Sequence, residues 1–263
     1  MRIVSLACSN TEIVAALGLA DQLVGVDDHS DHPAEVLASL PRVGPDLEID
    51  MDRVASLEPD LVLASLTVPG HETVVETLEA SGLPHLVLAP TSLEEVYDDI
   101  ELVAERLGVA ERGRDIVAGM RRELAPSTPV ALPEEGTPAR PSLLVQWWPK
   151  PVIAPGRQSW VQAVIEAAGG RNPLEEVDRP SRPLDDEEVA ALAPDAVIIS
   201  WCGVAPEKYR PDVVYRNPAF ADIPAIREGQ VHCVPEAYLG RPGPRLVEGV
   251  RALRAIVKGL LEK

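Results

Sequence analysis

Side chains that could do chemistry are concentrated in loops that follow apolar runs of this chain. The loop Asp27–His32 contains two histidines and three aspartates. The imidazoles of His29 and His32 could coordinate a transition metal ion, but a bare-metal site requires three or four converging ligands. Only this loop supplies candidates. The alternative is a polar turn in which Asp and Ser side chains bond to the turn backbone.

Aromatic side chains follow three other apolar runs. Trp147 and Trp148 come directly after one predicted strand, Trp201 after another, and Tyr238 with Arg241 after a third. The chain has only four Trp, four Tyr and one Phe, so this clustering is informative. Such rings offer large, stiff contact area for a flat or bulky ligand. The alternative is that individual tryptophans pack a domain interface.

Motifs for catalysis are absent from the sequence. It contains no glycine-rich phosphate loop, no dinucleotide fingerprint, no nucleophile elbow and no His-Glu-x-x-His. The three cysteines, Cys8, Cys202 and Cys233, are too few and too scattered for a disulfide framework or a thiolate zinc site. We therefore expect a binding protein and not an enzyme.

An internal repeat organises the elements that must position these residues. The segment 49–65 recurs as 184–200, with eight identities at a constant offset of 135 residues. Each copy predicts a short helix, with Asp50 or Asp185 as its N-cap, that ends before a proline and leads into an apolar strand. The repeat favours two related lobes, and the alternative is a generic helix–strand unit that recurs by accident.

Strands alternate with helices on both sides of this repeat, which predicts α/β lobes with parallel sheets. Ser9–Glu12 and Ser159–Gln162 are interpreted as capping boxes that open helices. A helix predicted over 110–125 precedes a proline-rich, aperiodic stretch. We expect an N-terminal lobe over 1–108, a helix and connection over 109–141, and a C-terminal lobe over 142–263. Two such lobes form a cleft between their facing loops, where a small molecule usually binds.

Composition narrows the class of partner. The net charge of −18 argues against nucleic acid or an anionic lipid surface. The sequence has no run of about 18 apolar residues, so it predicts no membrane-spanning helix. The first residues already resemble a core strand and not an export signal, so the protein is either cytoplasmic or has lost a leader.

The chain resembles the periplasmic cobalamin-binding proteins of ABC uptake systems, within the class III, helical-backbone substrate-binding proteins. The resemblance spans essentially the full chain and lies in the following segments: 2–6, 9–12, 25–26, 30–33, 57–62, Gly156 with Ser159, 168–172 and 244–245. It implies two Rossmann-like lobes joined by a long rigid helix, here 110–125, with the ligand held between the lobes.

The resemblance also implies a permease partner. One exposed carboxylate per lobe would dock on arginines of the transmembrane subunits, and these positions are Asp52 and Glu187, equivalent residues of the two repeat copies. The alternative is that an acid in the first turn of a helix is favoured by the macrodipole alone. A monomer located outside the cytoplasm is expected, with no catalytic cofactor.

For the ligand, the resemblance carries over unevenly. A tyrosine position of the family is His29 here, tryptophan positions are Asp46, Ser65 and Ser181, and a phenylalanine position is Ile153. Tyr238 replaces a tryptophan and Arg241 is retained, while Trp147, Trp148 and Trp201 are additions. The expected ligand contacts are these: Asn10, His29, Asp46, Ser65, Trp147, Trp148, Ile153, Trp201, Tyr238 and Arg241.

Three hypotheses follow from these residues. The first is capture of cobalamin or a related corrinoid for an ABC importer. The second is a metal-ion, siderophore or haem receptor of the same fold, centred on His29 and His32. The third is an intracellular corrinoid-handling protein, or an enzyme on this fold.

Overall fold

The repeat identified in the sequence marks two separately organised units. A computed structural model describes residues 1–125 and 140–262. One unit comprises Met1–Pro90 with Glu94–Gly119, and the other comprises Thr91–Leu93 with the chain from Met120 onwards. Most of the proline-rich connection predicted up to residue 141 lies outside the described residues.

The first unit is built on a four-stranded parallel sheet. Its third strand is buried along its whole length, as the apolar run predicts for a strand covered on both faces. The strand order is β2-β1-β3-β4. The strands are β1 (Ile3–Ser5), β2 (Leu23–Val26), β3 (Leu61–Ser65) and β4 (His85–Leu88).

Six helices belong to this part of the chain. The sixth crosses the division between the units and ends two residues before the predicted boundary at 125. The fourth helix ends at Ser81, and Gly82 closes it at a φ of 70°. The helices are α1 (Cys8–Ala16), α2 (Ala34–Leu37), α3 (Met51–Ser56), α4 (His71–Ser81), α5 (Leu93–Arg106) and α6 (Ala110–Glu123).

The second unit contains a parallel sheet and a small antiparallel sheet. The parallel order is β10-β9-β5, and the antiparallel order is β6-β7-β8. The antiparallel sheet was not predicted from the sequence, because its strands are short and each of them contains a proline. The strands are β5 (Leu143–Gln146), β6 (Trp148–Pro149), β7 (Val152–Pro155), β8 (Ser181–Leu184), β9 (Ala196–Ile199) and β10 (Val231–Cys233).

The described helices of the second unit range from four to sixteen residues in length. The segment 201–217 contains a five-residue helix, which begins at a proline. No helix in the described part of the chain is long and apolar enough to cross a membrane. The helices are α7 (Trp160–Ala167), α8 (Asp186–Leu192), α9 (Pro211–Tyr215), α10 (Pro224–Arg227), α11 (Glu236–Leu239) and α12 (Leu246–Leu261).

The recurring aspartates of the repeat have the same roles in both units. Asp50 caps α3 by accepting from the amide of the third helical residue, and Asp185 does the same for α8, where a full capping box forms. The last aspartate of each copy, Asp60 or Asp195, accepts a hydrogen bond from the backbone N–H of the residue that precedes the neighbouring strand, at 2.6 and 2.7 Å. The conserved spacing therefore connects a helix cap to the alignment of two parallel strands.

The capping box predicted at Ser9–Glu12 is wrong. Helix α1 begins at Cys8, so the predicted cap Ser9 lies inside the helix, and the actual N-cap, Ala7, makes no side-chain hydrogen bond. Instead, Thr11 is fully buried and its hydroxyl donates to Ser5 Oγ at 2.8 Å. At the other predicted box, Ser159 caps α7 by accepting from Val161 N–H.

One carboxylate of the first unit opposes folding at neutral pH. An oxygen of Asp99, in the middle of α5, is buried without a hydrogen-bond partner among the described residues. Burial, with the charges of Glu95 and Asp98, raises the pKa of Asp99 to about 7. The folded-state pKa exceeds the unfolded value of 3.8, so the unfolded state releases this proton first. Stability is therefore lost as the pH rises from about 4 to 7.

The substitution Asp99→Asn should remove this penalty. We expect it to raise the free energy of unfolding at pH 8 by about 2 kcal/mol, roughly half the full equivalent of the pKa shift, because the side chain is partly solvated. The gain should shrink towards zero at pH 4, as urea denaturation at several pH values would measure. Asp115→Asn, at an exposed position of α6, is the control. A gain independent of pH would contradict this account.

Candidate functional site

The candidate residues of the first unit lie where its parallel strands end. The loop Asp27–His32 follows β2, Ser65 is the last residue of β3, and Asn10 lies in α1, which follows β1. Carboxyl ends of parallel strands are the usual ligand-binding edge of such sheets. Asn10 is buried, and its amide donates to Ala64 O at 3.0 Å, so it ties α1 to β3. Ser65 is also buried and its hydroxyl lies 2.8 Å from Thr67 Oγ1.

His29 and Asp46 are brought together, with a third residue that sequence reasoning missed. Asp46 lies between two imidazoles, 3.6 Å from His29 Nε2 and 3.4 Å from His71 Nε2. The hydrogen bond with His71, together with the two nearby imidazoles, holds the pKa of Asp46 below its ordinary value despite partial burial. The available signal for His71 was its position as the first residue of a helix that follows a strand end.

The loop that carries His29 is held by a buried aspartate. Asp27 is fully buried, and its carboxylate accepts from Ser30 Oγ and from the backbone N–H of His29. Burial raises the pKa of Asp27, and these hydrogen bonds oppose that effect. Arg42 donates to the carbonyls of Asp27 and Ser30 at 2.9 and 2.6 Å. These contacts fix the loop and present the exposed imidazole of His29.

The alternative of a bare-metal site depends on the side chains around His29 and His32. Within residues 1–125 and 140–262, no group of three or more His, Cys, Asp or Glu side chains could hold a metal ion. His32 is exposed, and the structure places Asp46 and His71 beside His29.

In the second unit, three candidate residues lie on or beside an antiparallel hairpin. Trp148 on β6 pairs with Ile153 on β7, so their side chains share one face of the hairpin. Trp148 is 42% exposed, while Ile153 is half-buried. Trp147 packs against Trp160 with ring centroids 6.2 Å apart. Of these two neighbouring indoles, that of Trp148 is exposed to solvent, and that of Trp147 is held by its contact with Trp160.

Trp201 occupies a different environment from the other candidate tryptophans. It is 5% exposed and belongs to the hydrophobic core of the second unit. Its ring packs edge-on against Tyr209, with centroids 5.7 Å apart. Of the three candidate tryptophans, Trp148 is therefore the one that is exposed.

The segment that follows β10 carries the remaining candidates. Arg241 pairs with Glu236 through Nε and Oε2 at 3.0 Å, and both side chains are largely buried. The ring of Tyr238, on α11, lies under the guanidinium of Arg245 at 4.9 Å. Each of these arginines therefore has a partner close to it in sequence, which orders the segment.

The two predicted docking carboxylates are both exposed. Asp52 is the second residue of α3 and Glu187 is the second residue of α8, so they occupy matching helical positions. In the described part of the chain neither forms a salt bridge. Both are available to basic groups of another protein.

Comparison with known proteins places the chain in a family. The model of the periplasmic binding protein family matches residues 3–238. An uncharacterized ABC transporter substrate-binding lipoprotein of Bacillus subtilis, YvrC, is 28% identical over 259 residues, covering 96% of this chain and 78% of the relative. A vitamin B12-binding protein of Vibrio parahaemolyticus is 26% identical over 250 residues, covering 95% and 86%.

Among solved structures, the periplasmic heme-binding protein RhuT of Roseiflexus sp. RS-1 in apo form is 29% identical and superimposes with a TM-score of 0.80, covering 98% of each chain. The resemblance inferred from the sequence is confirmed, as is the α/β fold class. The chain belongs to the periplasmic binding protein family, whose members bind substrates for transport and are not enzymes.

Proposed function

We propose that this protein captures cobalamin or a related corrinoid, outside the cytoplasm, and delivers it to an ABC importer. The vitamin B12-binding relative supports the ligand, and the substrate-binding lipoprotein supports the transport role and the location. The observation that carries the proposal is the exposed indole of Trp148, paired with Ile153 on the antiparallel hairpin that follows the carboxyl end of β5. A broad, flat macrocycle is the kind of ligand that such a surface suits.

Each unit by itself also offers polar groups at its strand ends, which we propose as ligand contacts. In the first unit these are His29 and Asp46, which are held by Asp27 and His71. In the second unit Arg241 is held by Glu236. Ser65 and Asn10 are buried and already hydrogen-bonded, so we assign them the role of shaping the strand ends. Trp201, in the loop that follows β9, packs in the hydrophobic core, and we assign it the role of supporting that loop.

Calorimetric titration with cyanocobalamin tests the proposal. We expect one-to-one binding, with affinity reduced about tenfold or more by Trp148→Ala, because a large aromatic contact is removed. The matched control is Tyr215→Ala, since this ring is similarly exposed, at 41%. Its hydroxyl lies near Gly229, before the amino end of β10, and so away from the carboxyl ends of the strands where a ligand is expected. No binding at high micromolar concentration would exclude cobalamin. Equal losses of affinity in both variants would show that Trp148 is not a ligand contact.

Haem is the second candidate ligand, and His29 favours it. An imidazole is a common axial ligand of haem iron, and the His29 side chain is 48% exposed. The similarity to a periplasmic heme-binding protein adds support. The same titration with haem, followed by visible absorption, separates the two ligands. Micromolar or tighter haem binding without cobalamin binding would make haem the substrate.

The transport role requires a permease, and we propose Asp52 and Glu187 as its contacts. Their matching positions would offer one carboxylate from each unit to arginines of the transmembrane subunits. Other acidic residues also lie in first helical turns, where the macrodipole favours them, so exposure alone does not select this pair. Their recurrence in the repeat is what singles them out.

A further inference from the structure

A buried carboxylate accompanies the arginine of the proposed site. Glu236 Oε2 lies 3.0 Å from Arg241 Nε, and the two side chains are only 17% and 10% exposed. An ion pair this sheltered is screened less by solvent than a surface pair. The local charge of Arg241 is therefore largely cancelled before a ligand arrives.

Two hydrogen bonds and a glycine help to fix the position of Glu236. The backbone N–H of Glu236 donates to Tyr209 Oη at 3.0 Å, and Tyr209 donates in turn to the carbonyl of Trp201 at 3.3 Å. Burial raises the pKa of Tyr209 to about 12, so its hydroxyl keeps the proton that it donates. At Gly240, a Cβ atom would lie 2.9 Å from Glu236 Oε1, so the glycine leaves room for the folded carboxylate.

This pairing changes what Arg241 can recognise. A guanidinium carries five N–H donors, and the contact with Glu236 uses Nε. A neutral carbonyl oxygen can accept from such a group without meeting a net charge. A ligand carboxylate, by contrast, would come close to Glu236 and be repelled. The chain's net charge of −18 acts in the same direction.

We propose that Glu236 is a specificity-determining residue, which neutralises Arg241 so that the site accepts amide-bearing corrinoids and rejects ligands with a carboxylate at this position. The inference rests on the proposed function. It predicts discrimination between ligands that differ by one functional group, because an amide and a carboxylate have nearly the same shape. Cyanocobalamin and its monocarboxylic acid derivatives, in which one propionamide is hydrolysed, are such ligands.

Calorimetry with wild-type protein and Glu236→Gln tests this inference. For wild type we expect cyanocobalamin to bind at least about tenfold more tightly than at least one monocarboxylic acid, because burial strengthens like-charge repulsion. Glu236→Gln should reduce that ratio to about threefold or less, or invert it. The readout is the ratio of the two affinities, since a purely structural defect would weaken both ligands alike. Glu248→Gln, in an exposed pair with Arg251, is the control and should leave the ratio unchanged.

The outcomes separate the inference from the function on which it rests. If wild type binds cyanocobalamin and every monocarboxylic acid equally well, the inference is overturned and the corrinoid function stands. This comparison needs no variant, so it remains decisive if Glu236→Gln fails to fold. An unchanged ratio in a folded Glu236→Gln protein would also overturn it. Absence of binding of any corrinoid to wild type would overturn the proposed function, and the inference with it.

Discussion

Reversing the charge at both Asp52 and Glu187 to lysine is expected to lower ATP-dependent ligand uptake about a hundredfold, with ligand affinity unchanged. Each substitution would remove one proposed ion pair with a permease arginine and introduce like-charge repulsion. A loss of about 1.4 kcal/mol per site gives a tenfold weakening, so two sites together give about a hundredfold. Uptake into proteoliposomes that contain the cognate transporter would measure the effect, and calorimetry would measure ligand affinity.

Two other acids control for the cost of placing lysine in a first helical turn. Glu35 in α2 and Glu111 in α6 are exposed first-turn residues outside the repeat. Their double reversal changes the net charge by the same amount and meets the same macrodipole. If this control lowers uptake as much as the test variant, the effect is one of overall charge. A loss of ligand affinity in the test variant would mean that these residues belong to the ligand site.

Replacing Gly249 by alanine is expected to cost about 3 kcal/mol of unfolding free energy, at the upper end of overpacking effects. Gly249 lies in α12, where a Cβ atom would come within 2.2 Å of Tyr238 O and 2.8 Å of Leu239 Cδ2. The nearer atom belongs to the backbone and cannot rotate away. Helix α12 and the segment Tyr238–Arg241 must therefore move apart, so we also expect weaker ligand binding.

Gly259→Ala provides a control in the same helix. No atom lies within 4 Å of a Cβ placed there, so alanine should stabilise the helix by up to about 1 kcal/mol through its higher propensity. Urea denaturation of both variants would measure the contrast. Equal stabilities for the two variants would show that the close approach at Gly249 is easily relieved.

The repeat was the most informative feature of the sequence, and the structure explains why. Its aspartates are retained because each has a specific backbone partner, at a helix N-terminus or beside a strand. Such contacts depend on short sequence spacings and on the parallel alignment of neighbouring strands. The repeat therefore predicted α3 and β3 in the first unit, and α8 and β9 in the second.

Short motifs were less reliable where tertiary partners competed. Ser9–Glu12 matches a capping-box pattern, but these residues do not cap the helix. Instead, the hydroxyl of Thr11 forms hydrogen bonds with the hydroxyls of Ser5 and Ser30. The local pattern does not reveal that α1 begins among the ends of buried strands. The five residues Pro211–Tyr215 form a helix that is too short for periodicity to detect.

The sequence by itself determined the family, the α/β class and the paired helix–strand units, because these depend on local spacing and on apolar periodicity. Only the tertiary structure decided which candidate side chains face solvent. It exposed Trp148 and buried Trp201, set Asp46 between His29 and His71, and joined Glu236 to Arg241. Exposure and charge pairing depend on residues that are distant in the sequence or on how a loop folds back, and a linear pattern does not encode those distances.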